Sequence, residues 1–347
     1  MADTKAKAIL VAGPPFRGYL RMIADGFSAC GVQPSLLEWE YPKRNFAQEI
    51  MFYSSSSFRT ELARTQDEAN AAALEKAVTK SNPDYVLAMK AVDLTEKTKK
   101  HCADTGTKLV LWAYDSATEF PIIERSAPEY DLVYTYEPAD VQTLSHCCSP
   151  KFLPMAYDQR YYFKHTDAEK KEIDICFIGA IDPYPQRRRL LRQISRAFRE
   201  KRIGVWADSI HWYSHRRVRD MALFGARRNV DLHRQTLGHN AISDVYNRSK
   251  ICLNIHHKQS VKAVNPRTFE ILGSGGLLVT DRRLDDIEGF EEGEGYIHYS
   301  SEAELIDKLR DALENDQKSG YIADIGYSEA RAHTFEHRAR RILSDLG

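Results

Sequence analysis

The sequence predicts an α/β protein with two doubly wound parallel sheets. Short apolar runs recur along the chain, each the length of a strand buried on both faces. They alternate with stretches of helical length and pattern, as in a parallel sheet wound with crossover helices. At 347 residues the chain is long enough for two domains with ample cores.

Ala8–Ala12 is the first strand. Gly13–Gly18 is a turn, and Tyr19–Cys30 reads as a helix with Leu20, Ile23 and Phe27 on one side. A strand, a Gly-containing turn and a helix start make a common ligand-facing unit. It lacks the GxGxxG pattern, so nicotinamide binding is not supported. Leu36–Tyr41 is the second strand, Ser54–Ser57 a loop and Phe58–Ser81 a long charged helix. Tyr85–Met89 is a strand, Thr95–Thr105 a helix, Leu109–Tyr114 a strand and Asp131–Tyr136 another; Glu137–Asp140 then opens a helix. Asp115 stands at the carboxyl end of its strand, where such sheets place function. It is either a general base or a cap for the backbone amides of the next turn.

Polar Arg160–Glu172 reads as a linker, with the boundary near 165. Ile173–Gly179 is a strand ending in glycine, which lets a ligand approach the backbone closely. The next helix carries Leu190, Leu191, Ile194 and Phe198 as its apolar stripe. Its first turn holds Arg187, Arg188 and Arg189, which oppose the helix dipole and invite an anion; Arg188 is the candidate. The basic bias runs on to Arg234 through Arg216, Arg217, Arg219, Arg227 and Arg228, near Trp212 and Tyr213, whereas Asp281–Asp316 is acidic. The basic segment either holds an anionic partner, such as a lipid-linked phosphate, a membrane surface or nucleic acid, or pairs with the acidic segment. A turn at Gln235–His239 precedes a helix over Ala241–Asn247.

Ser249–Asp281 is the most informative stretch. Ile251–Ile255 is a buried strand and His256–Asn265 a polar loop. Pro266 opens a short helix with Phe269, Ile271 and Leu272 on its apolar side, and Gly273, Gly275 and Gly276 stop it before the strand Leu277–Thr280. Glu270 lies on that helix between two apolar residues. A buried carboxylate needs a partner: either a ribose diol or Arg267, one turn back. His256 and His257 are either structural or suited to sugar contact and proton transfer. Gly295–Tyr299 is a short strand, Ser301–Asn315 a helix with a capping box of Ser301 and Glu304, and Gly320–Leu346 a helical tail.

The run Asn265-Pro-Arg-Thr-Phe-Glu-Ile-Leu-Gly-Ser-Gly-Gly-Leu-Leu-Val-Thr-Asp281 resembles the signature of GT-B glycosyltransferases of the CgeB-like, spore-maturation type, which are related to the group 1 glycosyltransferases. The resemblance is strongest over 174–345. It implies GT-B architecture, with two Rossmann-like domains facing across a cleft: 1–165 on the acceptor side, 166–325 holding the nucleotide-sugar donor, and 326–347 as a helix crossing back. It implies that Glu270 holds ribose, that Gly238 lies by the nucleobase, and that Gly179, Lys258, Lys262, Asn265 and Arg267 with nearby amides serve the diphosphate. Arg17 and Gly18 then lie on the acceptor side, and Asp115 and His256 are the catalytic candidates. Fixed cations and amides would stabilise the leaving diphosphate in place of a metal, with no cofactor beyond the nucleotide-sugar substrate. Many retaining relatives carry Glu, seven residues, Glu; here the first position is Lys262, which leaves inversion and retention both open.

Charge balances at 49 basic against 49 acidic residues, so net charge names no partner. No apolar run approaches a membrane span, and Met1–Gly13 lacks a signal-peptide layout. Six scattered cysteines without a CxxC pair fit reduced thiols. Together these point to a cytoplasmic chain, with peripheral contact at the inner membrane face as the basic segment's variant. The acceptor is a glycan, a lipid-linked group, a protein or a small molecule. The rival reading is a non-catalytic relative that binds a nucleotide or an anionic polymer, kept open by Lys262.

Overall fold

The computed structural model describes residues 7–41, 45–166, 171–182, 184–207, 229–256 and 261–347. Two compact units divide the chain within the Lys151–Asp158 segment. The first comprises Met1–Pro154, Gln259–Ala263 and Phe335–Gly347; the second comprises Met155–Lys258 and Val264–Thr334.

The first unit runs β1 (Ala8–Gly13), α1 (Tyr19–Ala29), β2 (Gln33–Glu38), α2 (Phe46–Ser54), α3 (Ser56–Ser81), β3 (Tyr85–Ala88), α4 (Glu96–Thr105), β4 (Lys108–Ala113), α5 (Ile122–Ser126), β5 (Leu132–Thr135), α6 (Pro138–Thr143) and β6 (Lys151–Phe152). Its six strands are parallel in the order β2-β1-β3-β4-β5-β6. The chain winds outward from β1 to β2, then returns past β1 to β3. The crevice beyond the carboxyl ends of β1 and β3 is therefore its topological switch point. The core gathers Leu10, Val86 and Leu111 from the strands with Leu74 and Val78 of α3. Each such side chain contributes about 1.5–3 kcal/mol by leaving water. Helix α12 (Phe335–Leu346) packs on α1. Gly26 makes that approach possible, since a Cβ there would lie 2.7 Å from the Phe335 carbonyl oxygen.

The second unit runs β7 (Ile173–Ile178), α7 (Pro185–Ala197), β8 (Ile203–Ala207), β9 (Val230–Arg234), α8 (His239–Asn247), β10 (Ser249–Asn254), α9 (Pro266–Gly273), β11 (Leu278–Thr280), β12 (Ile297–His298), α10 (Glu302–Glu314) and α11 (Asp316–Ala330). Its sheet is again six parallel strands, in the order β9-β8-β7-β10-β11-β12. That is the dinucleotide-fold order, with its switch point between β7 and β10. Ile175, Phe177 and Leu253 of the sheet pack with Leu191 and Ile194 of α7 and with Leu305 of α10.

The expectation of two parallel α/β sheets holds. Several local expectations need correction. β2 lies three residues earlier than Leu36–Tyr41. The serine run is a helix junction: Ser55 ends α2 and caps α3, accepting from Phe58 N at 3.2 Å. The tail is two helices, α11 and α12, separated by 331–334. At α10, Ser301 caps as expected, but Glu304 reaches back to the N–H of Ser300. Strands β6, β8 and β9 and helix α2 were not anticipated.

Candidate functional site

The second unit's switch point gathers most of the sequence-selected residues. Gly179 follows β7 and donates its N–H to Trp206 O at 2.9 Å. A Cβ on Gly179 would lie 3.2 Å from the Phe177 ring and 3.4 Å from Arg267 Nη1. The Arg267 guanidinium thus lies against a backbone that carries no side chain. Arg267 sits in the first turn of α9, behind Pro266. Asn265 precedes α9 without capping it. Its side-chain amide exchanges hydrogen bonds with Asn254, at 3.0 and 3.3 Å, and Asn254 Nδ2 also donates to Thr268 Oγ1 at 3.0 Å. The start of α9 is thereby tied to the end of β10. Glu270, in the middle of α9, is 2 % exposed. Glu270 and Arg267 both lie near the phenol of Tyr246 on α8. Burial drives that phenol's pKa well above its ordinary value; the Arg267 charge opposes this and the Glu270 charge adds to it. Gly238 precedes α8 and has open space where a side chain would be.

His256 lies just beyond β10 and is 5 % exposed. Its Nδ1 is 2.8 Å from Asp281 Oδ1, and its backbone N–H donates to the same carboxylate at 2.9 Å. A carboxylate only accepts, so Nδ1 carries the proton. Burial lowers the His256 pKa against the pull of Asp281, which leaves the ring neutral near pH 7. The dyad joins the ends of β10 and β11.

The arginines after β7 are committed to the chain itself. Arg187, 5 % exposed, donates to Ala180 O at 2.9 Å and to Ile255 O at 2.6 Å, bridging the ends of β7 and β10. Arg188 donates to the carbonyls of Ile181, at 2.6 Å, and Asp182. Arg189 pairs with Glu302. Arg234, at the end of β9, forms a two-bond pair with Asp182 at 2.9 and 3.1 Å, and both side chains are under 10 % exposed. Arg202 pairs with Asp231 at 2.8 Å. Arg187, Arg188, Arg189, Arg202 and Arg234 are thus engaged within the unit. Lys258, His257 and the arginines from 216 to 228 lie outside the described residues.

In the first unit, Asp115 follows β4. The capping role that the sequence left open for it is filled by Asp140, whose carboxylate accepts from Ala117 N at 2.7 Å. Among the described residues no hydrogen bond to the Asp115 carboxylate is formed. Burial pushes its pKa up to about 6, with Lys90 at the end of β3 pulling the other way. Arg17 and Gly18 have left-handed φ of 50° and 72°, and Phe16 beside them is 59 % exposed. A groove of about 780 Å³ opens between α3, the β3–α4 turn and 119–125, lined by Asp67, Asp93, Phe120, Ile122 and Arg125 among others. Lys262 is exposed, on a segment belonging to this unit. Among the described residues no three metal-ligating side chains converge, and no helix is long and apolar enough to cross a membrane.

Sequence reading missed Arg187 as a bridge, the Asp182–Arg234 pair, Asp140 and Lys90. Only Arg187 carried a signal, as the first arginine of a basic helical turn.

Residues 186–344 match a sequence family described as glycosyl transferase-like. A search of curated protein sequences finds no match. Among solved structures, sucrose-phosphate synthase from Thermosynechococcus elongatus superposes with a TM-score of 0.69 at 10% identity, over 98% of this chain and 99% of that one. A glycosyltransferase from Rickettsia africae gives 0.67 at 11%, over 98% of each chain. Anabaena Alr3699/HepE, solved in complex with UDP, gives 0.65 at 12%, over 98% and 99%. The chain therefore has the GT-B fold of glycosyltransferases, and its residues 186–344 carry the sequence pattern of a glycosyl transferase-like family.

Proposed function

We propose that the protein transfers a sugar from a nucleotide-diphosphate sugar to an acceptor nucleophile, as a metal-independent GT-B enzyme of the CgeB-like type. One observation carries the reading. At the β7–β10 switch point a buried carboxylate, Glu270, stands one turn from a guanidinium, Arg267, laid against the bare backbone of Gly179. A carboxylate accepts from both hydroxyls of a ribose. A guanidinium beside glycine backbone suits a diphosphate. Alr3699/HepE, with the same fold, is described with UDP and UDP-glucose bound.

In this reading Glu270 holds the ribose, and Arg267, Gly179 and Lys262 serve the diphosphate. Arg188 acts by shaping the loop after β7, and Asn265 by fixing the start of α9. Gly238 leaves room for the base. Asp115 takes the proton of the acceptor hydroxyl as that oxygen bonds to the sugar's anomeric carbon. The bond from that carbon to the diphosphate breaks, and fixed cations receive the charge that develops there. His256, kept neutral by its burial and bonded through Nδ1 to Asp281, keeps the ends of β10 and β11 in register. Arg17 and Gly18 contribute to the acceptor side.

The test is a thermal-shift panel of UDP, GDP, dTDP, CMP and ADP, with magnesium or EDTA, on wild type and Glu270→Ala. The matching diphosphate at 100 times its dissociation constant adds about 2.7 kcal/mol to wild type. It adds little to Glu270→Ala, and EDTA changes nothing. A folded wild type that responds to none of the five overturns the reading.

A further inference from the structure

The turn that follows α6 gathers two adjacent cysteines around one carbonyl. Its backbone is tightly wound. Leu144 N donates to Asp140 O at 2.9 Å, and the N–H groups of Cys147 and Cys148 both donate to Leu144 O at 3.1 Å. Neighbouring side chains of an extended strand point to opposite faces. This winding brings both to the same side. The Cys147 thiol donates to Leu144 O at 3.3 Å and the Cys148 thiol to the same oxygen at 3.6 Å. The two thiols also meet each other: burial first, and then the Cys147 thiol, push the Cys148 pKa up to about 12. Both side chains are half-buried against the core of the first unit, so each keeps some contact with solvent.

The thiols are held there weakly. Leu144 O has two lone pairs and four donors around it, two N–H and two S–H. An S–H is a weak donor and loses to an amide N–H. A further contact of Cys147 Sγ, to Glu124 O of α5, is longer, at 3.8 Å. Little hydrogen bonding is therefore lost when both thiol protons leave. The other four cysteines are placed differently. Cys30 is half-buried and donates to Glu336 O at 3.8 Å. Cys102 is buried, and Cys176 and Cys252, partners in register on β7 and β10, have no exposed surface.

We infer that Cys147 and Cys148 form a dithiol site for a soft, thiophilic centre of low coordination number, of which trivalent arsenic is the example. Soft centres select sulfur ligands. Two sulfurs turned to one side fill two coordination positions, and the solvent side leaves the third to a group from solution. With phenylarsine oxide the step is a condensation. Two S–H bonds and the arsenic–oxygen bond break, two As–S bonds form, and the oxygen leaves with both protons as water. Arsenic stays trivalent, so no oxidant or reductant takes part. The site lies wholly within the first unit and is independent of the transferase reading.

The experiment adds phenylarsine oxide to the folded full-length chain in a large excess of glutathione and reads the intact mass. The proteins are wild type, Cys30→Ser, Cys147→Ser and Cys148→Ser. Wild type and Cys30→Ser keep a single arsenical, because the second As–S bond forms within the molecule while glutathione competes for one bond at a time. Cys147→Ser and Cys148→Ser hold it about 10²–10⁴-fold more weakly and lose it to glutathione. A wild type that keeps no arsenical overturns the site, and so does either serine variant that keeps it as wild type does. If the serine variants do not fold, mass mapping of loaded wild type after digestion gives the same decision: arsenic on the peptide that carries both residues supports the site, and arsenic on any other cysteine overturns it.

Discussion

The carboxyl edges of the two sheets differ in how their charged groups are satisfied. In the second unit Arg187, Arg188, Arg234, Asp182, His256 and Asp281 are all bonded to neighbouring strands or loops. In the first, Asp115 is half-buried near Lys90 with no hydrogen bond from the described residues. Saturated bonding fixes positions, which is what holding a nucleotide requires. A carboxylate left without donors keeps a raised pKa, which is what a base working near neutral pH requires. One edge is built to be rigid and the other to titrate.

The sharpest way to break this contrast is Asp115→Asn. If Asp115 is the general base proposed above, it contributes about 10²–10⁴ in rate, and the variant loses that much turnover while binding the nucleotide unchanged. Its stability moves in the opposite direction. The folded protein holds the Asp115 proton up to about pH 6, whereas the unfolded chain releases it near 3.8. Between those values the native state binds more protons, so Asp115 lowers stability as pH rises through the window. Two pKa units correspond to at most about 3 kcal/mol, which Asn recovers above pH 6. Turnover within tenfold of wild type would remove Asp115 from the chemistry. A melting temperature that fails to rise at pH 7.5 would show that the carboxylate is solvated.

The sequence made the buried central strands legible because they are continuous apolar runs: β1, β3, β4, β7 and β10 lie close to where composition puts them. It hid β8 and β9. β8 is interrupted by Gly204, whose missing side chain leaves room for the Trp206 ring; a Cβ there would lie 2.5 Å from it. Trp206 in turn stacks on His233 of β9 at 4.8 Å, and β9 is a half-buried edge strand with alternating polar residues. Candidate residues that the structure brings together were legible where one short stretch holds them, as from Asn265 to Glu270. It was not legible where partners are far apart. Glu137 reads as a helix opener until 261–263 folds onto it, and Asp140 does for the turn after β4 what adjacency assigned to Asp115. Local pattern shows the type of a group, and only the fold shows whether it is already spent on the chain.

Within the rigid edge, the Asp182–Arg234 pair should matter through stability first. Asp182→Ala leaves a buried guanidinium without its carboxylate and costs about 3–5 kcal/mol, measured by urea unfolding. Nucleotide affinity falls with it, because the loop after β7 loses an anchor. Replacing both partners by apolar residues, Asp182→Leu with Arg234→Met, restores much of the stability, since the desolvation of both charges is no longer required. If Asp182→Ala unfolds like wild type, the pair is not what fixes the loop.

The smallest effect is also the one that compares the two edges directly. Burial holds the His256 pKa below its ordinary 6.5 in the folded state, with Arg187 and Arg282 adding to this and Asp281 opposing it. Below pH 6.5 the unfolded chain takes up a proton that the folded one resists, so stability from this group is full above 6.5 and is lost as pH falls. Asp115 has the opposite slope, favouring the folded state as pH falls below 6. In wild type the two partly cancel between pH 6.5 and 4. Melting temperatures across that range should separate them: Asp115→Asn exposes the steeper acid loss due to His256, and His256→Gln exposes the acid gain due to Asp115. Parallel curves for all three proteins would mean that neither edge titrates as its burial requires, and the contrast between a rigid edge and a titrating one would fail.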